Sequence, residues 1–386
     1  MSLSDTLSRL SRGREAFAAA FPAAGDGVTD DCLGELQVNF ANPGNLRARC
    51  YVPEGLERPA ALLVVLHGCT QNAAGYDQGA GWSALANRHG FALLYPEQKR
   101  ENNANLCFNW YQACDARRGA GEAASIANMV EAMRDSHGID PDRIFVTGLS
   151  AGGAMAAVML ATYPDLFAGG AIIAGMPYGC ASNLAQAFDL MAGRGIAEPG
   201  ALSDKVRAAS RHRGAWPRLS VWHGSADRIV SPANADALIA QWAGLHGLGM
   251  TPDRTETVDG HPRRVWLGRE GQELIEHYDV EGMAHGTPLM PGTDEGESGE
   301  ARAHMLDVGL SSTDRIAAFF GIGPDVAARK GKAKKAGIKP RTGAKRSGAA
   351  VRPRSPRLKR PASAASPVSA IQKTIEDALR SAGLMK

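Results

Sequence analysis

Short, largely apolar runs of strand length recur along this chain, separated by segments of helical period. "PAALLVVLHG", "FALLYPEQ", "PDRIFVTG", "AGGAIIAGM" and "RLSVWHGSAD" are the runs. A strand buried on both faces reads this way, because neither face meets water. Helical spacing fills the gaps: around Gly81–His89, in "EAASIANMVEAMRDSHG", over Ala151–Tyr163, and in "SPANADALIAQWAGL" with Pro in its first turn. Residues 182–213 look helical but broken. "GELQVNF" and "LRARCYVP", separated by Asn-Pro-Gly, predict an opening β-hairpin. "RRVWLGREGQELIEHYDVEGMAHG" predicts two late strands and "SSTDRIAAFFG" a closing helix. "KRENNANLCFNWYQACDARRGAG" has no clear period and reads as loop. Strands that alternate with helices predict an α/β fold, a mainly parallel sheet with helices on both faces. In such sheets reactive residues gather at the C-terminal ends of the strands.

Charge divides the chain. Residues 1–325 carry a net −12 and residues 326–386 a net +15, which together give the overall +3. The basic stretch is Ala, Gly, Pro, Ser, Lys and Arg without aromatics, a composition that cannot bury a core and predicts disorder. The expected organisation is a lead-in over 1–34, a catalytic domain over 35–324, a disordered basic tail over 325–365 and a short amphipathic helix over 366–386. The cations of residues 329–360 suit a polyanion or an acidic granule surface, although the lack of aromatics argues against base stacking. A solubilising extension is the plainer reading of that tail. No stretch of about 18 apolar residues is present, so no membrane span is expected. The N-terminus lacks an uninterrupted apolar core, which points to a cytoplasmic location.

One junction carries chemistry. Gly148-Leu149-Ser150-Ala151-Gly152 stands between a buried strand and a helix. A Gly-x-Ser-x-Gly turn there exposes a serine nucleophile, and small residues let strand and helix backbones pass closely. An N-capping serine on an ordinary turn is the alternative. A serine hydroxyl needs a base, and the base needs an orienting carboxylate. The chain order serine, acid, histidine of α/β-hydrolases is met by Asp227 in "HGSADRIV" and His285 in "EGMAHG", both after strands. His277 lies inside a strand pattern, and His261 and His304 lack a strand end. The developing oxyanion needs two backbone N–H groups. Ala151, after the nucleophile, and Cys69, after "LLVVLHG", are the candidates.

The motifs "LHGCTQNA", "YPEQ", "CFNWY", "GLSAGGAM", "YPDLFAGGAIIAGMPYG", "WHGSADRIV" and "GMAHG" occur in an order that resembles the poly(3-hydroxybutyrate) depolymerase-like esterases. These are relatives of the feruloyl and acetylxylan esterases. The resemblance covers roughly residues 36–320. It implies an α/β-hydrolase fold, no cofactor or metal, and hydrolysis of a polyester, its oligomers or aryl esters. It also implies that Asn109 and Trp110 border the substrate groove. From the residues alone, Trp110 equally suits an aromatic that pins a long loop. Many members place Ala-Trp-Pro-Gly after the catalytic histidine, where this chain has Gly286-Thr287-Pro288. Many are secreted, which makes secretion the alternative location.

Six cysteines, Cys32, Cys50, Cys69, Cys107, Cys114 and Cys180, show neither a Cys-x-x-Cys pair nor zinc-site spacing. Cys69 and Cys107 both follow strands at the expected active face, so a disulfide between them is geometrically allowed. A reducing cytoplasm would disfavour it.

Overall fold

The structure, a computed structural model, describes residues 31–324 except Glu295. Most of the expected lead-in, the basic tail with its 329–360 cations and the terminal helix lie outside the described residues.

Among the described residues ten strands form one sheet. In chain order they are β1 (Gly34–Glu35), β2 (Arg47–Tyr51), β3 (Ala60–Leu66), β4 (Phe91–Glu97), β5 (Ile139–Leu149), β6 (Gly169–Ile173), β7 (Arg218–Gly224), β8 (Arg254–Val258), β9 (His261–Leu267) and β10 (Glu273–Val280). Their spatial order is β1-β2-β4-β3-β5-β6-β7-β10-β9-β8. The six central strands, β4 to β10 in that order, are parallel, and antiparallel strands close both edges. The chain leaves β3 for β4 on one side and returns to β5 on the other. The switch point between β3 and β5 is where such sheets open a crevice.

Among the described residues eight helices connect and cover the strands: α1 (Ala73–Ala80), α2 (Trp82–His89), α3 (Gly121–His137), α4 (Ala151–Thr162), α5 (Leu184–Met191), α6 (Pro199–Ala209), α7 (Ala233–His246) and α8 (Ser312–Phe320). The continuous apolar runs have a simple use. In β3, Leu62, Val64 and Leu66 join the core that includes α3, α4 and α7 residues. Ala61, Leu63 and Val65 join the core on the other face, with α1, α2 and α8 residues. β3 feeds two cores at once, so none of its seven residues is polar.

The sequence reading missed α1. "AAGYDQGA" has two glycines and weak helical preference, but Asn72 caps it by accepting from the Gly75 N–H, and the Ala73 N–H is held by Glu97 Oε2 at 2.8 Å. The expected first strand "GELQVNF" pairs only at Gly34 and Glu35. Beyond it, the Asn42 side chain bonds both the N–H and the carbonyl of Leu46, and turns the chain instead. β8 and a small parallel pair, β11 (Thr287–Leu289) and β12 (Met305–Asp307), were not foreseen either.

Candidate active site

Ser150 follows β5 directly and precedes α4, with φ 57° and ψ −117°. A side-chain-bearing residue in that region is strained, and such strain is retained where surroundings enforce it. The surroundings are close backbones. A Cβ at Gly152 would lie 2.2 Å from the Leu66 carbonyl oxygen, and one at Gly148 would lie 2.5 Å from Gly152 backbone atoms. Ser150 N–H donates to Ile173 O at 2.9 Å, which ties the turn to β6. The Ser150 side chain makes no capping hydrogen bond to α4. The N-cap alternative therefore does not account for the serine.

Asp227 and His285 meet in the loops after β7 and β10. Those loops are laced together: Ser225 N–H donates to Val280 O and Ala226 N–H to Met283 O. Asp227 Oδ1 accepts from the N–H groups of Ile229 and Val230 at 2.8 and 2.9 Å. Asp227 Oδ2 stands 2.7 Å from His285 Nδ1. Burial pushes the Asp227 carboxyl up, but hydrogen bonds from His223, His285 and Val230 outweigh it and hold it well below the usual carboxylate range. An ionised carboxylate only accepts. His285 Nδ1 must therefore carry a proton, and in the neutral ring Nε2 is the lone-pair nitrogen, as a base requires. The rings of His285 and His304 are 5.8 Å apart, with His304 Nδ1 3.1 Å from the His285 carbonyl oxygen. His277 sits on a sheet face, as its strand pattern suggested, whereas His261 opens β9 just after a strand, β8, that the sequence did not reveal.

The sheet thus carries Ser150, Asp227 and His285 on the C-terminal edge, after β5, β7 and β10. Cys69 lies on the same edge, three residues beyond β3, whose Leu66 is in register with Gly148 of β5. His67 braces that loop. Its Nε2 accepts from the Gln98 N–H at 3.1 Å, so Nδ1 is the protonated nitrogen and donates to Gly68 O at 2.8 Å. Burial keeps the ring neutral by pushing its pKa down. Ala151 is the first residue of α4, where backbone N–H groups point out of the helix and favour negative charge.

Cys69 and Cys107 are joined by a disulfide, and Cys32, Cys50, Cys114 and Cys180 are free thiols. The bond fastens the candidate oxyanion loop to the long loop that carries Asn109 and Trp110. Thr70 N–H adds a second tie, to Asn105 O at 2.7 Å. Asn109 was expected beside the substrate. Its amide Nδ2 donates to Glu122 Oε1, and its Oδ1 accepts from Asn103 and Gln112. With every polar atom of the side chain engaged, Asn109 braces the loop. Trp110 is 8% exposed, belongs to the core and meets Tyr111 edge-on.

Glu122 is a residue the sequence reading passed over, because a glutamate in a first helical turn looks like a solvated cap. It is 1% exposed and accepts from Asn109 N, Asn109 Nδ2 and Gln98 Nε2. Burial pushes its pKa up to about 8 against those donors. Glu122→Ala leaves three buried donors without their acceptor. The expected cost is about 3 kcal/mol, read as a lower urea midpoint at unchanged m-value; an unchanged midpoint would refute the bracing role.

Among the described residues no group of three or more His, Cys, Asp or Glu side chains is arranged to hold a metal ion. No helix among them is long and apolar enough to cross a membrane.

Comparison with known proteins follows the same lines. Residues 46–257 match the family described as esterase PHB depolymerase. The chain is 48% identical over 286 residues to poly(3-hydroxyalkanoate) depolymerase C of Paucimonas lemoignei, across 74% of this chain and 69% of that protein. It is 34% identical over 262 residues to an acetylxylan esterase of Coprinopsis cinerea, across 66% and 69%. Among solved structures, the acetyl xylan esterase from Aspergillus awamori is similar with a TM-score of 0.63 at 25% identity, over 75% of this chain and 99% of that chain.

Proposed function

This chain belongs to the esterase PHB depolymerase family, and from that premise we propose that it hydrolyses carboxylic esters through Ser150, His285 and Asp227. The observation that carries this is the 2.7 Å Asp227–His285 pair on the same sheet edge as the strained Ser150 turn. His285 Nε2 takes the Ser150 proton as Oγ attacks the ester carbonyl. The tetrahedral oxyanion is held by the N–H groups of Cys69 and Ala151. Collapse breaks the ester C–O bond, and the leaving alkoxide takes the proton from His285. Water then gives a proton to His285 and attacks the acyl-serine. The acid is released and Ser150 Oγ is reprotonated. Asp227 holds the imidazole in the required tautomer and stabilises its cation.

The proposed substrate is a short-chain hydroxyalkanoate polyester or its oligomers. The 48% identity to a poly(3-hydroxyalkanoate) depolymerase, against 34% to an acetylxylan esterase, supports that choice. Feruloyl, acetylxylan or general aryl ester hydrolysis is the second reading, and the shared fold with an acetyl xylan esterase supports it. A panel of 3-hydroxybutyrate oligomers, methyl ferulate and acetylated xylan oligomers separates the two. The expected result is a kcat/KM for the hydroxybutyrate oligomers at least ~10-fold above the others, about 1.4 kcal/mol of transition-state discrimination. Preference for ferulate or xylan acetate would overturn the substrate assignment while leaving the serine chemistry in place.

The Cys69–Cys107 bond supports an oxidising compartment rather than the cytoplasm, since a reducing pool keeps ordinary thiols free. The cation run of residues 329–360 supports attachment to a polyanion or granule surface as a separate activity of the same chain.

A further inference from the structure

Two buried histidines lie behind the Asp227–His285 pair, and hydrogen-bond logic fixes the proton on each. His223 Nε2 is 2.9 Å from Val230 O and 3.4 Å from Asp227 Oδ2. Both partners only accept, so Nε2 carries a proton and His223 Nδ1 is a bare acceptor when the ring is neutral. His277 Nδ1 lies 2.8 Å from Arg264 Nη2 and 3.3 Å from Arg264 Nε. A guanidinium only donates, so Nδ1 is the acceptor and His277 Nε2 carries the proton. The two nitrogens left over are His223 Nδ1 and His277 Nε2. Both are buried, and among the described residues neither has a hydrogen-bond partner.

The leftover nitrogens are complementary, and the sheet places them together. β7 and β10 are parallel neighbours with Val221 opposite His277 and His223 opposite Asp279. Side chains two apart share a face, so both rings lie on the face that also holds Val221 and Ile275. No direct bond joins them, so the pair needs one bridging water molecule, since an unmade buried hydrogen bond is costly. With that bridge the donors point one way, from Arg264 to His277 to His223 and on to Asp227, which His223 Nε2 approaches at 3.4 Å.

We propose that His223 is a positioning residue of the ester-hydrolysing site, held in one tautomer by the Val230 carbonyl and the Arg264–His277 pair, and that it sets the orientation and basicity of Asp227 toward His285. This rests on the proposed roles of Asp227 and His285. His277 is suited to stay neutral in the chain, because burial and the Arg264 cation push its pKa down to about 3. The other charged or titratable groups on this side are Asp279 on β10, Arg264 on β9, Asp236 on α7, which pairs with Arg264 at 3.2 Å, and His304 beside His285.

The test compares His223→Leu, His223→Gln and His277→Leu. Leucine removes the donor to Asp227, so the carboxylate charge is less neutralised and favours the imidazolium of His285. The acid limb of the kcat/KM profile should therefore rise by about half to one pH unit. kcat/KM at the optimum should fall about tenfold. The glutamine amide nitrogen occupies nearly the position of Nε2 and should restore the limb. His277→Leu should move it in the same direction by less. The far-downfield proton resonance of His285 Nδ1–H, assigned by its loss in His285→Ala, should shift in His223→Leu without any substrate present. If His223→Leu does not fold, His277→Leu and the glutamine variant carry the comparison. An unmoved limb and an unmoved resonance overturn the proposal. Turnover retained in Ser150→Ala overturns the underlying reading instead.

Discussion

Ser150→Ala is expected to lower kcat for ester hydrolysis by about 10⁶-fold, the loss typical when the nucleophile of a Ser–His–Asp unit is removed. The fold should persist. The Ser150 side chain makes no capping bond to α4, and alanine meets the same φ and ψ demand as serine. Circular dichroism and urea midpoint should match the parent chain. Initial rates on a 3-hydroxybutyrate oligomer, with an acyl burst sought in the parent and absent in the variant, give the measurement. A residual rate above the uncatalysed reaction is expected, because backbone donors at Cys69 and Ala151 remain. Turnover at the parental rate would remove Ser150 from the mechanism.

Breaking the Cys69–Cys107 bond should give the second large effect. The residues are 38 apart in sequence. Loop-closure entropy then assigns about 4 kcal/mol to the cross-link. The bond also anchors the loop whose Cys69 N–H is the proposed oxyanion donor, and one such donor is worth about 3 kcal/mol in the transition state. Cys69→Ser with Cys107→Ser should therefore lower both the urea midpoint and kcat, with a smaller change in KM. The parent chain in excess dithiothreitol should drift the same way. Parental kcat after reduction, with the bond shown open by thiol counting, would separate the disulfide from catalysis.

Much of this site could be read from the sequence because its chemistry sits in local context. Ser150 announces itself by two glycines at a strand-to-helix junction, and Asp227 and His285 each follow a recognisable strand. The supporting residues announce nothing. Glu122 opens a helix, where glutamate is common, and only burial against Asn109 and Gln98 reveals its task. His223 precedes the Gly of an unremarkable His-Gly pair, and its value depends on a partner in β10 that sequence distance hides. The bracing bonds of Asn109 could be counted only in three dimensions. Helix α1 went unseen because its stability comes from Asn72, Glu97 and packing rather than from its own residues.

The order in which the sheet is threaded has a consequence for the protein during its own synthesis. Ser150 emerges from the ribosome long before its base, because β10 and the loop with His285 come after five of the six parallel strands. Every growing chain that stops short of that loop carries Ser150 without His285. On the proposed mechanism such a chain lacks its general base, so ester hydrolysis should begin only once the loop with His285 has been made. Recovery of activity on refolding should likewise report the docking of β10 on β7, a long-range pairing of the kind that closes late.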